Sequence, residues 1–316
     1  RKTTPTMFKY LTIAAVVTGA AAHSDFSCGQ REPTELVAPT DAQLTQAAKM
    51  LAGVLEHRHA RAGRKLSESW DSNALQIGVV THDIGGGLDN DAVDANIALM
   101  NEQFSPYFEF TIVDRLTHDD TFLAKGCGDE AETMKQDLAV SPGEFYNIYF
   151  ADCAAEGLFG FSSFPPSIDA STTEDDPSHG TVQARESLPG GSMCDGGCDG
   201  DTMSHETGHY LGLYHTFQGG CDETGGDYVS DTPAESEPHF GTSCDSGIDS
   251  CPDSGDADIT SNLMAYYEDV CLDDFTDLQM SRALWATLTG RPTLVSAGSM
   301  ESSDLCLAGH YWDDEA

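Results

Sequence analysis

Residues 205–215 read His-Glu-Thr-Gly-His-Tyr-Leu-Gly-Leu-Tyr-His, an unbroken H-E-x-x-H-x-x-G-x-x-H. On a helix, His205 and His209 stand one turn apart on one face, so both imidazoles can reach one metal ion. Glu206 is rotated about 100° from His205 and can address a water on that metal. Gly212 tolerates positive φ and lets the chain leave the helix sharply, which returns His215 as a third ligand. Three neutral imidazoles leave a fourth position for water, and zinc lowers the pKa of that water to about 7. Glu206 can then take the proton as the water attacks a carbonyl. The implied reaction is hydrolysis of a peptide bond by a zinc-bound water activated by Glu206.

Accident is a poor explanation. This chain's own frequencies of His, Glu and Gly give roughly one chance match in ten thousand such sequences. A structural zinc site would be closed by four protein ligands, usually with cysteine, and no CxxC pair accompanies these histidines. His82, His118, His179, His239 and His310 lack ligand spacing and read as structural.

Beyond the motif, residues 205–221 run on as Thr216-Phe217-Gln218-Gly219-Gly220-Cys221. Gly226-Asp227-Tyr228-Val229-Ser230-Asp231-Thr232-Pro233-Ala234, Asn262-Leu263-Met264-Ala265-Tyr266, Asp269-Val270-Cys271 and Phe275-Thr276-Asp277-Leu278-Gln279 follow in order. Together these stretches resemble the pappalysin (cytophagalysin) family of metzincin proteases, specifically over about residues 145–291 and more weakly over 74–144. The resemblance implies a Met-turn at Met264 beneath the zinc and Tyr266 near the metal and the transition-state oxyanion. Ala265 stands where that family often has Asp, a departure that touches no ligand. The resemblance also implies disulfides Cys221–Cys251 and Cys244–Cys271, and calcium in the loop from Cys221 to Asp231, with Asp227 and Asp231 the first candidates and Asp222 the third. That loop is rich in hard oxygen donors but lacks the EF-hand spacing.

The 316 residues suffice for one sizeable core. Met7 reads as a start, with residues 1–6 upstream of it. Lys9 and the apolar run Leu11 to Ala22 have the layout of a secretory signal peptide, residues 1–22, too short to span a bilayer. Ten cysteines suit an oxidising destination, and the partners of Cys28, Cys127, Cys153, Cys194, Cys198 and Cys306 stay open. No N-x-S/T sequon is present.

Charge divides the chain. Residues 1–66 hold nine Lys and Arg against five Asp and Glu, whereas 67–316 hold six against forty-eight. Such an acidic body excludes nucleic acid as a partner, and solubility accounts for most of its carboxylates. The first 66 residues are thus a different kind of segment, a cationic one over an anionic enzyme, and residues 23–66 within it read as a pro-segment. Ala42–His59 is an amphipathic stretch within it, and the basic linker from Arg58 to Lys65 is a processing site that places the mature start near Leu66 or Ser67. Cys28-Gly29-Gln30-Arg31-Glu32-Pro33 resembles the C-G-x-x-x-P segment of some pappalysin pro-regions. It makes Cys28 a candidate for holding the enzyme latent by occupying the open zinc position, although ten cysteines fit five disulfides that include Cys28 equally well.

Periodicity predicts strands over Leu75–Thr81, Phe108–Val113, Phe145–Phe150 and Gly157–Ser162, and an edge strand bordering the cleft over Thr181–Ser187. Helices are expected over Ala92–Phe104 and Glu130–Leu138, then from Asp201 or Thr202 through the zinc motif. The last runs from Asp277 to Leu288 behind the capping box Thr276-Asp277-Leu278-Gln279. The expected fold is α+β, a metzincin-like two-lobe metalloprotease over residues 67–291. A twisted mixed sheet with a backing helix and the zinc helix forms the upper lobe, to about Gly212. An irregular, disulfide-linked lower lobe spans 213–291. Residues 292–316 read as an acidic extension.

The function this predicts is a secreted zinc endopeptidase made as a zymogen and acting on proteins or peptides. The alternative in another class is a catalytically silent, metal-stapled binding protein, against which Glu206 argues. A small-molecule zinc hydrolase would need a narrow pocket, whereas an edge strand beside an open cleft can take an extended peptide by strand addition.

Overall fold

The computed structural model describes residues 27–28, 74–118, 127–128, 130–194, 197–221, 226–240, 244, 247–254 and 256–296. The expected signal peptide, the pro-segment apart from Ser27 and Cys28, the basic linker, Asp222, Cys306, His310 and the tail beyond Ser296 lie outside the described residues. Among those described, no helix is long and apolar enough to cross a membrane.

Strands β1 (Ser27–Cys28), β2 (Leu75–Ile84), β3 (Phe108–His118), β4 (Tyr146–Ala151), β5 (Leu158–Ser162) and β6 (Thr181–Ala184) form one sheet in the order β1-β5-β6-β4-β2-β3. β2 is parallel to β3 and β4, and β4 is parallel to β6. β5 runs antiparallel to β6. A parallel strand covered on both faces needs apolar residues at successive positions, and every residue of β4 is buried.

Helix α1 (Asn90–Gln103) backs the sheet, with the Asp89 carboxylate accepting from the amides of Asp91 and Ala92 at its N-terminus. Helix α2 (Ala131–Leu138) precedes β4, and the zinc-motif helix α3 (Asp201–Tyr210) lies against α1 and the sheet. Phe104 meets Phe108 and Phe110 edge to face in the main core, each ring contributing about 1.5–3 kcal/mol through burial.

Two expectations change. The strand at Thr181–Ala184 is interior, flanked by β4 and β5, and residues Arg185–Ser187 form a 3₁₀ turn. Outside it lie β5 and then β1, and the partly exposed Leu-Phe-Gly-Phe-Ser run of β5, unlike wholly buried β6, passes beside Glu206. The second change concerns the chain after Pro292. Pro292–Ser296 is a short helix, α5, with Leu294 and Val295 buried in the main core. The loose extension expected from Pro292 therefore does not begin there.

Beyond Gly212 the chain is mostly irregular until helix α4 (Asp277–Gly290). The capping box is formed as the sequence predicts, with Thr276 Oγ1 accepting from Gln279 N–H and the Gln279 side chain accepting from Thr276 N–H. Met280, Ala283 and Leu284 share a core with the sheet residues, so α4 anchors the irregular segment to the upper layers. Disulfides Cys221–Cys251 and Cys244–Cys271 staple that segment. Cys127–Cys153 and Cys194–Cys198, whose pairing the sequence leaves open, are also formed.

Candidate active site

The zinc-motif helix is held by a ladder from α1. Asn96 Nδ2 donates to Gly200 O (2.8 Å), Met100 Sδ accepts from Thr207 Oγ1 (3.1 Å), and Gln103 donates to Asp201 and accepts from Ser204. Spacings of four and three residues put Asn96, Met100 and Gln103 on one helical face. From the sheet, Tyr146 stacks on Tyr210 at 3.9 Å between centroids, and its hydroxyl meets Thr207 and Thr181. Arg291 covers the Tyr210 ring at 3.9 Å. These contacts fix both the rotation and the height of α3.

That helix turns His205 and His209 toward His215. The three Nε2 atoms form a triangle with every edge 3.1 Å, and the residues are 5%, 0% and 5% exposed. The rings are further oriented by backbone carbonyls: His205 Nδ1 donates to Leu263 O (2.6 Å) and His209 Nδ1 to Leu213 O (2.8 Å). With Nδ1 carrying the proton, the Nε2 atoms of His205 and His209 present bare lone pairs. Burial also holds His205 down at about 4 and His209 and His215 well below the usual imidazole value, so all three are neutral. Converging lone pairs cannot satisfy one another by hydrogen bonding. A cation can, and three nitrogens bonded at about 2.0–2.1 Å to one zinc ion accept this spacing.

The turn that delivers His215 depends on Gly212, at φ +98°. A Cβ there would lie 2.6 Å from Ala286 Cβ on α4. The Gly212 carbonyl accepts from Nε of buried Arg282 (2.8 Å), whose guanidinium lies over Tyr214 at 4.7 Å. Met264 is fully buried beneath α3, and a Cβ at Gly208 would sit 2.5 Å from its sulfur. The glycine inside the H-E-x-x-H stretch is thus a close-packing position. The Met264 turn is braced by Asn262 and Gln279, whose side-chain amides exchange hydrogen bonds, while Asn262 Oδ1 accepts from Met264 N–H.

Glu206 is fully buried on the sheet side of α3. β5 passes so close that a Cβ at Gly160 would lie 3.0 Å from Glu206 Cγ and 3.2 Å from Oε1. Tyr266 is half-buried in a group of rings, 5.4 Å from His205, 4.7 Å from His215 and 4.9 Å from Phe217.

The calcium candidates are arranged differently. Asp227 is buried, accepting from Val229 N–H and Thr232 Oγ1, and burial pushes it up to about 7. Both oxygens of Asp231 accept at the start of α4, from Thr276 Oγ1 and Leu278 N–H. Among the described residues, neither belongs to a group of three or more metal donors.

Of the histidines read as structural, His82 lies between His118 and Asn147, and His179 meets Thr173 O, Ser163 and Arg291. His239 differs: it faces Glu235 and Asp258. Residues 189–286 match the family model described as pregnancy-associated plasma protein-A. An "Extracellular metalloprotease" of Pyricularia oryzae is 33% identical over 281 residues, 87% of this chain and 93% of the relative. One of Colletotrichum graminicola is 33% identical over 291 residues, 87% and 95% respectively. Among solved structures, mature mirolysin of Tannerella forsythia in complex with a cleaved peptide has a TM-score of 0.57 at 19% identity, covering 74% of this chain and 98% of its own. A promirolysin mutant from the same organism has a TM-score of 0.58 at 19% identity, covering 84% and 98%.

Proposed function

The chain belongs to the pregnancy-associated plasma protein-A (pappalysin) family of metalloproteases, and from that premise we propose a secreted zinc endopeptidase made as a zymogen. The observation that carries the reading is the 3.1 Å triangle of inward-facing imidazole nitrogens beside a buried glutamate on the same helix. His205, His209 and His215 would hold zinc, which when bound polarises the scissile carbonyl and acidifies the attacking water. Glu206 accepts the water's proton and passes it to the departing amine nitrogen. The Tyr266 hydroxyl donates to the oxygen on which charge develops. β5, the antiparallel strand beside Glu206, would offer an extended peptide the edge that Ser27 and Cys28 of β1 occupy in this chain, once the pro-segment is removed. Cleavage profiling in a proteome-derived peptide library tests this, with the Glu206→Ala protein as control. Cuts at internal peptide bonds that vanish in the control are expected, and identical cleavage by both would refute the assignment.

Export rests on the apolar Leu11–Ala22 segment and on relatives named extracellular. Latency through Cys28 draws support from the backbone. β1 runs parallel to β5 with Cys28 in register with Gly160, the residue that borders Glu206. A thiolate is a better zinc ligand than water. Cys28→Ala is expected to give a precursor that is active without processing and sheds its pro-segment faster. A precursor as latent as the parent, or Cys28 found in a disulfide by peptide mapping, would exclude the thiol.

Calcium near Asp227 is supported by its buried carboxylate in the field of Asp231, and limited by Asp231's role at the start of α4. If a calcium ion binds only the native state, millimolar calcium at constant zinc raises the melting temperature by the mass-action amount. An unchanged melting curve would remove calcium from the account.

A further inference from the structure

His239 lacks the satisfied surroundings of His82 and His179. Its Nε2 lies 3.5 Å from Asp258 Oδ2 and 3.7 Å from Glu235 Oε1. The ligand atoms of the three residues fall within 4.8 Å of one another. Glu235 and Asp258 are 2% and 6% exposed. Glu235 Oε1 and His239 Nε2 make no close hydrogen bond among the described residues, and the Tyr267 hydroxyl faces the Glu235 carboxyl as well as Asp258. Each side chain is fixed from outside. Thr216 Oγ1 donates to Glu235 Oε2, Ser250 N–H donates to the Asp258 carboxylate at 3.3 Å, and the His239 ring stacks on Tyr267 at 5.6 Å. The Tyr267 hydroxyl donates to Asp258 Oδ2 at 3.5 Å. Among the described residues, no lysine or arginine pairs with either carboxylate.

Two buried carboxylates without a fixed cation are unfavourable, because desolvation and mutual repulsion add. We propose that Glu235, His239 and Asp258 form a second metal site, for a divalent first-row transition cation, separate from the three-histidine centre. One doubly charged ion balances both carboxylates. Imidazole with carboxylate suits zinc or its neighbours, whereas calcium requires six to eight oxygens. His239, with its side chain 20% exposed, leaves that side for water ligands.

The place of the site suggests a positioning role. Thr216 follows His215, donates its N–H to Met264 O (3.2 Å) and gives its hydroxyl to Glu235. Tyr267 follows Tyr266. An ion here would pin the strand of chain bearing the third histidine to the turn bearing Met264 and Tyr266, from behind.

The test uses the full chain in a Glu206→Ala background, which prevents self-digestion. After loading with zinc and desalting, elemental mass spectrometry should find about two zinc ions per chain. His239→Ala and Asp258→Asn should each hold about one, as should His205→Ala, which empties the other centre. Anomalous diffraction at the zinc edge on the parent protein decides the matter even if those variants fold poorly. A peak between Glu235 and Asp258 is expected. A parent that binds a single zinc, with no peak between Glu235 and Asp258, would overturn the proposal.

Discussion

Replacing Glu206 by alanine is expected to lower kcat on peptide substrates by about three decades or more, with zinc content and fold retained. The residue is fully buried on α3, and its neighbours β5 and Gly160 leave little room for another group to take its place. Removing a carboxylate from that environment also removes a desolvation cost, so the melting temperature should hold or rise. The His205→Ala protein provides the contrast, because it should lose metal as well as turnover. Equal rates of casein cleavage by Glu206→Ala and parent proteins would show that another group is the base.

The second large effect is at Gly212. Alanine there meets two obstacles. φ of +98° lies where an L residue is strained, and a Cβ would stand 2.6 Å from that of fully buried Ala286. Left-handed backbone costs about 1–2 kcal/mol and overpacking about 1–3 kcal/mol. A combined loss of about 3 kcal/mol lowers the melting temperature by roughly 6–12 °C for a domain of this size. Relief of the clash moves His215, three residues on, so zinc affinity should fall about tenfold or more. Melting curves at fixed free zinc and equilibrium zinc competition measure the two effects separately. A Gly212→Ala protein that melts and binds zinc as the parent does would contradict this role.

The residues that make chemistry were the most legible. The order of the strands and helices and the capping box at Thr276 follow from local periodicity and turn chemistry. The three histidines and Glu206 follow from spacing along one helix and one glycine turn. What escaped depends on contacts between distant segments. β6 reads as an edge strand because it is short, and only pairing shows that β5 and β1 lie outside it. Gly160 gave a faint signal as a glycine within an alternating strand. The tightness of Gly208 against Met264, and the Asn262–Gln279 brace, have no counterpart in the local pattern. His239 reads as structural in the sequence because its carboxylate partners include Asp258, nineteen residues further on, on another loop. Leu294 and Val295 read as part of a loose tail because five residues are too few to show helical periodicity.

The central claim is that His205, His209 and His215 hold a zinc ion with which Glu206 hydrolyses peptide bonds. Its most direct test is peptidase activity of the processed protein, stripped by chelation and titrated with zinc, with Glu206→Ala alongside. Activity should be absent from the stripped protein, return in proportion to zinc restored at the three-histidine centre, and stay absent in the variant at every zinc concentration. Cleavage by metal-free protein, or a zinc-saturated protein inert toward every peptide in a broad library, would contradict it.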